Sequence, residues 1–260
     1  MSTPRLVLVV LAAVVVATPP ARGAERRELT VFEAASLKDV FATLARRFEA
    51  ENPGVAVVAN AAGSQELRAQ LEQGASADVF AAADRKPMDA LVAARLVGAP
   101  AVFACNEPVV VVRAGLELAR FADLPRAERV VVGAPDVPIG GYTARLLDNA
   151  GRALGADFRA RVEARIVSRE LDVRQVLAKV MLGEADAGVV YRSDARAAAG
   201  KVRVVEIPRA LNVTAEYPIA AVAKSPRAEL ARRFVELVRS PAGVAALREA
   251  GFLPCPSATP

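Results

Sequence analysis

Two serines sit where a strand gives way to a helix. Ser36 follows Leu29, Val31 and Phe32, which carry strand character, and precedes Leu37, Val40, Phe41, Leu44 and Phe48 at helical spacing. Asp39, three residues on, completes the pattern of a capping box with Ser36 as N-cap. Ser64 follows Ala62 and Gly63 and opens an amphipathic run with Leu67 and Leu71. A helix start gathers unpaired backbone N–H groups and the positive end of the helix dipole, which suits an anion. Three further stretches carry residues at the ends of strands or the starts of helices. Ile139 lies in a Pro-Ile-Gly-Gly-Tyr turn that opens a helix, Val173 in a Leu-Asp-Val-Arg helix start, and Tyr191 at the end of an apolar strand. Taken singly, each has a plainer reading: the serines cap helices, Ile139 and Val173 fill a core, and Tyr191 is a core aromatic with a satisfied hydroxyl.

Composition removes several chemistries. The chain has no His, which excludes Ser-His-Asp and Cys-His machinery and the commonest metal ligand. Its two cysteines, Cys105 and Cys255, cannot complete a zinc site, but in an oxidising compartment they can pair with each other. With no Trp and three Tyr, an aromatic stacking platform is not indicated. No catalytic residue, cofactor or free metal cation is expected, and an exported hydrolase or transferase is disfavoured for want of a tuned acid–base pair.

Residues 1–23 read as a secretory signal peptide. Arg5 supplies the basic start, 6–17 the apolar stretch, and Ala21-Arg22-Gly23 the small residues before a cut after Gly23. The apolar stretch is short of the roughly 20 residues a membrane span needs. Removing it takes Arg5 and Arg22 and no acid, leaving 32 basic against 29 acidic residues and a net charge of +3 over 237 residues. Those charges are interspersed, so nucleic acid is not an expected partner.

Short apolar strands alternate with amphipathic helices along the rest of the chain, which predicts a mostly parallel α/β fold. Strands are expected at 55–59, 77–80, 108–112, 130–133, 188–191 and 217–223, and helices open near 138, 171, 226 and 241. The pattern restarts near Ala127, so two lobes with a cleft between them are expected. Lobe 1 takes residues 24–106 and 224–260 and lobe 2 residues 107–223, with hinge strands near 107–113 and 217–223.

Six stretches together resemble one family, the periplasmic molybdate-binding proteins of ABC-type importers. They are TVFEAASL at 30–37, AGSQELRAQLEQGASADVFAAAD at 62–84, VPIGGY at 137–142, LDVRQVL at 171–177, AGVVYRSDA at 187–195 and EYPIAAV at 216–222. The resemblance implies a type II periplasmic-binding fold in which two crossover strands join the lobes. It implies a monomer that holds one tetrahedral oxyanion, molybdate or tungstate, and delivers it to a membrane permease. The family's ligand positions fall on Ser36, Ser64, Ile139, Val173 and Tyr191. Sulfate binding, or oxyanion sensing for a membrane partner, is the alternative. The chain departs from the pattern at Glu33 and Ile139, where the family commonly has Ala, and at Gln65, where a small polar residue is common. Glu33 is expected to face away from the cleft or to pair with an Arg, since a carboxylate beside a dianion repels it.

Overall fold

The computed structural model describes residues 27–255; the expected signal peptide and the last five residues lie outside that range. The chain opens with β1 (Arg27–Ala34), a single 3-10 turn (Ala35–Leu37), α1 (Lys38–Glu51), β2 (Val55–Ala62), α2 (Ser64–Glu72), β3 (Val79–Ala81), α3 (Arg85–Ala93) and β4 (Ala101–Asn106). It continues through β5 (Pro108–Arg113), β6 (Val130–Gly133), α4 (Pro138–Leu154), α5 (Phe158–Glu163), β7 (Ile166–Glu170), α6 (Val173–Met181), β8 (Ala187–Tyr191), α7 (Arg192–Ala197) and β9 (Val202–Val205). It closes with β10 (Ala215–Ala221), α8 (Ala228–Arg239) and α9 (Pro241–Glu249). Among the described residues no helix is long and apolar enough to cross a membrane.

The strands form two five-stranded mixed sheets, in the orders β2-β1-β3-β10-β4 and β7-β6-β8-β5-β9. Each is the core of one lobe, and the fold is two-lobed α/β as the alternation of strands and helices requires. In the first sheet Leu29 and Val31 pack with Phe41, Leu44 and Phe48 of α1 and Phe234 of α8. Phe32 and Phe80 pack with Leu67 and Leu71 of α2 and Met88 and Leu91 of α3. Covering both faces is why β1 is buried without a break from Val31 to Ala34. In the second sheet Val109 to Val112 of β5 are fully buried for the same reason.

Chain direction through the sheets differs from the expected boundaries at one strand. β10 pairs antiparallel with both β3 and β4, Tyr217 lying opposite Ala104 and Ala220 opposite Phe80. Its backbone hydrogen bonds therefore bind it to the first sheet, and the second sheet ends at β9. Apolar pattern marks a strand but not its neighbours, so the sequence cannot assign it to a lobe. The chain passes between sheets at Glu107, between β4 and β5, and again between β9 and β10.

The end of the chain is tied back to β4. Cys105 and Leu253 exchange backbone hydrogen bonds of 2.9 and 2.8 Å, and Cys105 is disulfide-bonded to Cys255 across 150 residues of sequence.

Candidate functional site

β1, β2 and β3 run parallel to one another, as do β6, β7 and β8. The carboxyl ends of parallel strands are where open α/β sheets place ligands. Ser36 follows β1, Ser64 follows β2, Ile139 follows β6, Val173 follows β7, and Tyr191 ends β8. All five line one cavity between the lobes, with about 220 Å³ of space not filled by atoms, the part open to solvent included. Lobe 1 contributes Ala35, Gly63 and Ala83 as well, and lobe 2 Val137, Pro138 and Asp172.

The serines are held differently from the capping reading. Ser36 lies inside the 3-10 turn, and neither that turn nor α1 has a side-chain cap. Its Oγ lies 3.0 Å from the hydroxyl of Tyr217 on β10. Asp39 does not close a capping box; its Oδ2 is 2.7 Å from Arg174 Nη2 on the other lobe. At α2 the N-cap is Gly63, and Ser64 is the first helical residue, its Oγ accepting from the N–H of Ala83 at 3.1 Å. Both hydroxyl oxygens thus have a tertiary partner, which a local motif cannot reveal.

On lobe 2 the donors are backbone groups. Pro138 is the first residue of α4 and has no N–H, so Ile139 brings the first one. Gly140 lets this helix start close on β6, because a Cβ there would lie 1.9 Å from the carbonyl oxygen of Ala134. At α6 Asp172 is the N-cap, its carboxylate accepting from Arg174 N–H at 2.7 Å and Gln175 N–H at 3.0 Å. That leaves the N–H of Val173, at the first helical position, outside the cap's reach. The one carboxylate in the cavity wall is therefore turned into its own helix.

Tyr191 is 1% exposed, and its hydroxyl is a buried polar atom with no hydrogen-bond partner. Burial, with the neighbouring Tyr217 adding to it, holds its pKa well above the usual phenol range, so it keeps its proton. An orphaned buried hydroxyl is costly, and one aimed into a cavity points to a ligand. Its ring packs edge-on against Tyr142 at 6.1 Å and Tyr217 at 5.7 Å, so the three tyrosines of the chain form one cluster at the cleft.

Glu33 neither reaches solvent nor pairs with an arginine. It is 1% exposed, its Oε2 has no partner, and it does not line the cavity. Burial pushes its carboxyl up to about 8, against a smaller opposing pull from Lys38. At neutral pH it is a neutral acid and does not repel an anion.

The lobes meet on both flanks of the cavity through one segment. Gln65 Nε2 donates to the carbonyl of Leu171 at 2.8 Å, and Arg174 reaches Asp39. Val173 sits between these two contacts. Arg174 Nε also lies 2.9 Å from Asp194 Oδ1, an ion pair by distance, but its N–H is not aligned with either carboxylate oxygen. Burial pushes Asp194 up to about 7 despite that arginine. Among the described residues no group of three or more His, Cys, Asp or Glu converges as a cation site requires.

Sequence reading located the five cavity residues but missed Tyr217 as a partner of Ser36 and Asp172 as a cap. The cap had a local signal, an Asp ahead of an apolar-periodic run; the Ser36–Tyr217 pair, 181 residues apart, had none.

Over residues 29–253 the chain matches the family described as bacterial extracellular solute-binding protein. It is 44% identical over 237 residues to the molybdate-binding protein ModA of Mycobacterium tuberculosis, covering 90% of this chain and 86% of that one. Among solved structures, the periplasmic molybdate-binding protein of Azotobacter vinelandii superposes with a TM-score of 0.77 at 23% identity, over 88% of this chain and 100% of that one. The sulfate-binding protein SubI from Mycobacterium tuberculosis superposes with a TM-score of 0.79 at 22% identity, over 89% and 88%. At those identities the two structures speak to the fold alone.

Proposed function

The chain belongs to the bacterial extracellular solute-binding protein family, and from that premise we propose that it captures molybdate, or tungstate, between its lobes and delivers it to the permease of an ABC importer. Members of this family bind a solute and do not transform it. The protein works outside the cytoplasm, in the periplasm, and its leader is cut after Gly23.

One observation carries the ligand class: the cavity gathers several donors and no free carboxylate. Ser36, Ser64 and Tyr191 bring hydroxyls, Ile139 and Val173 bring helix-start N–H groups, and the Asp172 carboxylate is occupied as a cap. Molybdate is fully ionised at neutral pH, so its oxygens only accept. Hydrogen bonds to a charged group contribute about 1.5–3 kcal/mol each. A handful of them offsets the anion's desolvation and supports micromolar binding or better, near −8 kcal/mol. Contacts to both lobes at once favour the closed form, so binding and closure are coupled.

Calorimetric titration of the mature protein with molybdate, tungstate, sulfate, chromate and phosphate tests this reading. Tight molybdate or tungstate binding is expected. Tight sulfate binding with no molybdate heat would overturn it in favour of a sulfate carrier, the reading that the bulk of Ile139 in the cavity wall would suit.

A further inference from the structure

The bond between Gln65 and Leu171 lies at a place that their chain neighbours define. Gly63 and Ser64 of lobe 1, and Asp172 and Val173 of lobe 2, line the ligand cavity. The next residue on each segment, Gln65 after Ser64 and Leu171 before Asp172, lines a second and larger space. That outer basin has about 850 Å³ not filled by atoms, its open part included, and is walled by α2 and α3 of lobe 1 and by Asp136 and Leu171 of lobe 2. The Gln65–Leu171 bond therefore stands on the seam between cavity and basin, and it joins the lobes.

The surroundings fit this contact closely. The partner of Gln65 Nε2 is a carbonyl oxygen at 2.8 Å, so the NH2 end of the amide is the one that faces it. Gly63 leaves room for the amide, since a Cβ there would lie 2.4 Å from Gln65 Nε2 and 2.7 Å from its Oε1. The side chain thus folds back over the wall of the cavity, with Oε1 buried and without a partner. Leu171 lies two residues before Val173, and Arg174, directly after it, reaches Asp39 of lobe 1 at 2.7 Å. Lobe 1 therefore holds the segment that carries the Val173 N–H at both ends. The two holds differ in kind. The Asp39 side chain is 60% exposed, which screens that ion pair, whereas the bond from Gln65 is neutral and has no charge to screen.

We infer that Gln65 is a positioning residue that latches the start of α6 to lobe 1 and closes the seam beside the cavity, and so sets how slowly a bound ligand leaves. This rests on the oxyanion reading and adds a kinetic device to it. Opening the cleft parts Gln65 from Leu171, so a ligand entering the open form does not meet the latch. A ligand leaving the closed form has to wait for that bond to break. Its contribution therefore falls on koff and leaves kon alone.

Gln65→Met keeps the length and cover of the side chain and deletes the donor, while Gln65→Ala deletes both. Stopped-flow tyrosine fluorescence, which reports on the cleft cluster, would give kon and koff for molybdate in each variant. In Gln65→Met koff is expected to rise about two- to thirteenfold, as for loss of one neutral hydrogen bond, with kon within about twofold of wild type. Gln65→Ala should raise koff further, because the seam is then uncovered as well. The rise in Gln65→Met should be the same at low and high salt, as a neutral bond requires. The ligand-free melting temperature should hold in both, since the lost contact joins the lobes and lies outside either core. An unchanged koff in both variants would reduce Gln65 to a surface residue of α2 and overturn the inference, as would a loss of affinity carried by kon. A wild-type protein that binds no molybdate fails the functional reading itself, before any variant is made, and the inference falls with it.

Discussion

Tyr191→Phe separates a ligand group from a core aromatic. The hydroxyl is 1% exposed with its residue, has no protein partner and borders the cavity, while the ring is held by Tyr142 and Tyr217. Phenylalanine keeps the ring contacts and deletes one donor. A donor to a charged ligand contributes about 1.5–3 kcal/mol, or roughly 13- to 160-fold in Kd. Because no protein bond is broken, the ligand-free melting temperature should change little. Thermal unfolding reads both effects at once. With molybdate at a thousand times the wild-type Kd, ligand stabilises the wild type by about 4.1 kcal/mol. For a domain of this size each kcal/mol moves Tm by about 2–4 °C, so the wild-type rise should be about 8–16 °C. At the same concentration the variant should retain about 1–2.6 kcal/mol and rise only about 2–10 °C. A variant that keeps the full ligand-induced rise would show that Tyr191 only packs, and the donor-shell argument would fail with it.

Three other perturbations probe closure, proton linkage and the tie at the end of the chain. A Cβ on Gly63 would lie 2.4 Å from the carbonyl oxygen of Leu171 on the opposite lobe, although the backbone there (φ −61°, ψ 135°) suits any residue. Gly63→Ala should therefore weaken molybdate about 5- to 150-fold through an overpacking cost of about 1–3 kcal/mol on the closed form. Unfolding of the ligand-free protein should be unaffected, and tyrosine fluorescence, which comes wholly from the cleft cluster, can follow both. Glu33 holds its proton to about 8 when folded against 4.5 as a free side chain. Its contribution is thus present in full below about pH 4.5 and is lost as pH rises toward about 8. Glu33→Gln should flatten that decline in urea unfolding between pH 5 and 8 and leave the protein more stable than wild type at pH 8; an unaltered pH profile would mean the carboxyl ionises at little cost. Replacing both Cys105 and Cys255 by Ser opens a loop of 150 residues and should lower stability by about 2–5 kcal/mol in urea titrations. An unmoved urea midpoint would show that the Cys105–Leu253 backbone pairing suffices to hold the tail.

The fold class was legible because its cause is local. Strands such as residues 109–112 are apolar throughout where a sheet is covered on both faces, and helices such as α6 start behind an acidic cap and carry apolar residues at helical spacing. The lobe assignment of β10 was not legible, since pairing with β3 and β4 depends on which edges are open after the rest of the sheet forms. Ser36 shows the same division within one residue. Its spacing to Asp39 mimics a capping box, yet the hydroxyl finds Tyr217 and the carboxylate finds Arg174. Local capping competes with tertiary partners that the sequence does not bring into view.

By itself the sequence determined the α/β alternation, the absence of imidazole chemistry and the placement of donors at strand and helix ends. Those follow from residue type, period and backbone hydrogen bonding, which act over a few residues. Tertiary structure alone decided that five such ends share one cavity, that Glu33 is buried and neutral beside it, and that Ser36 meets Tyr217 while Ser64 meets the N–H of Ala83. These depend on burial and on partners up to 181 residues away, where solvent exclusion sets protonation.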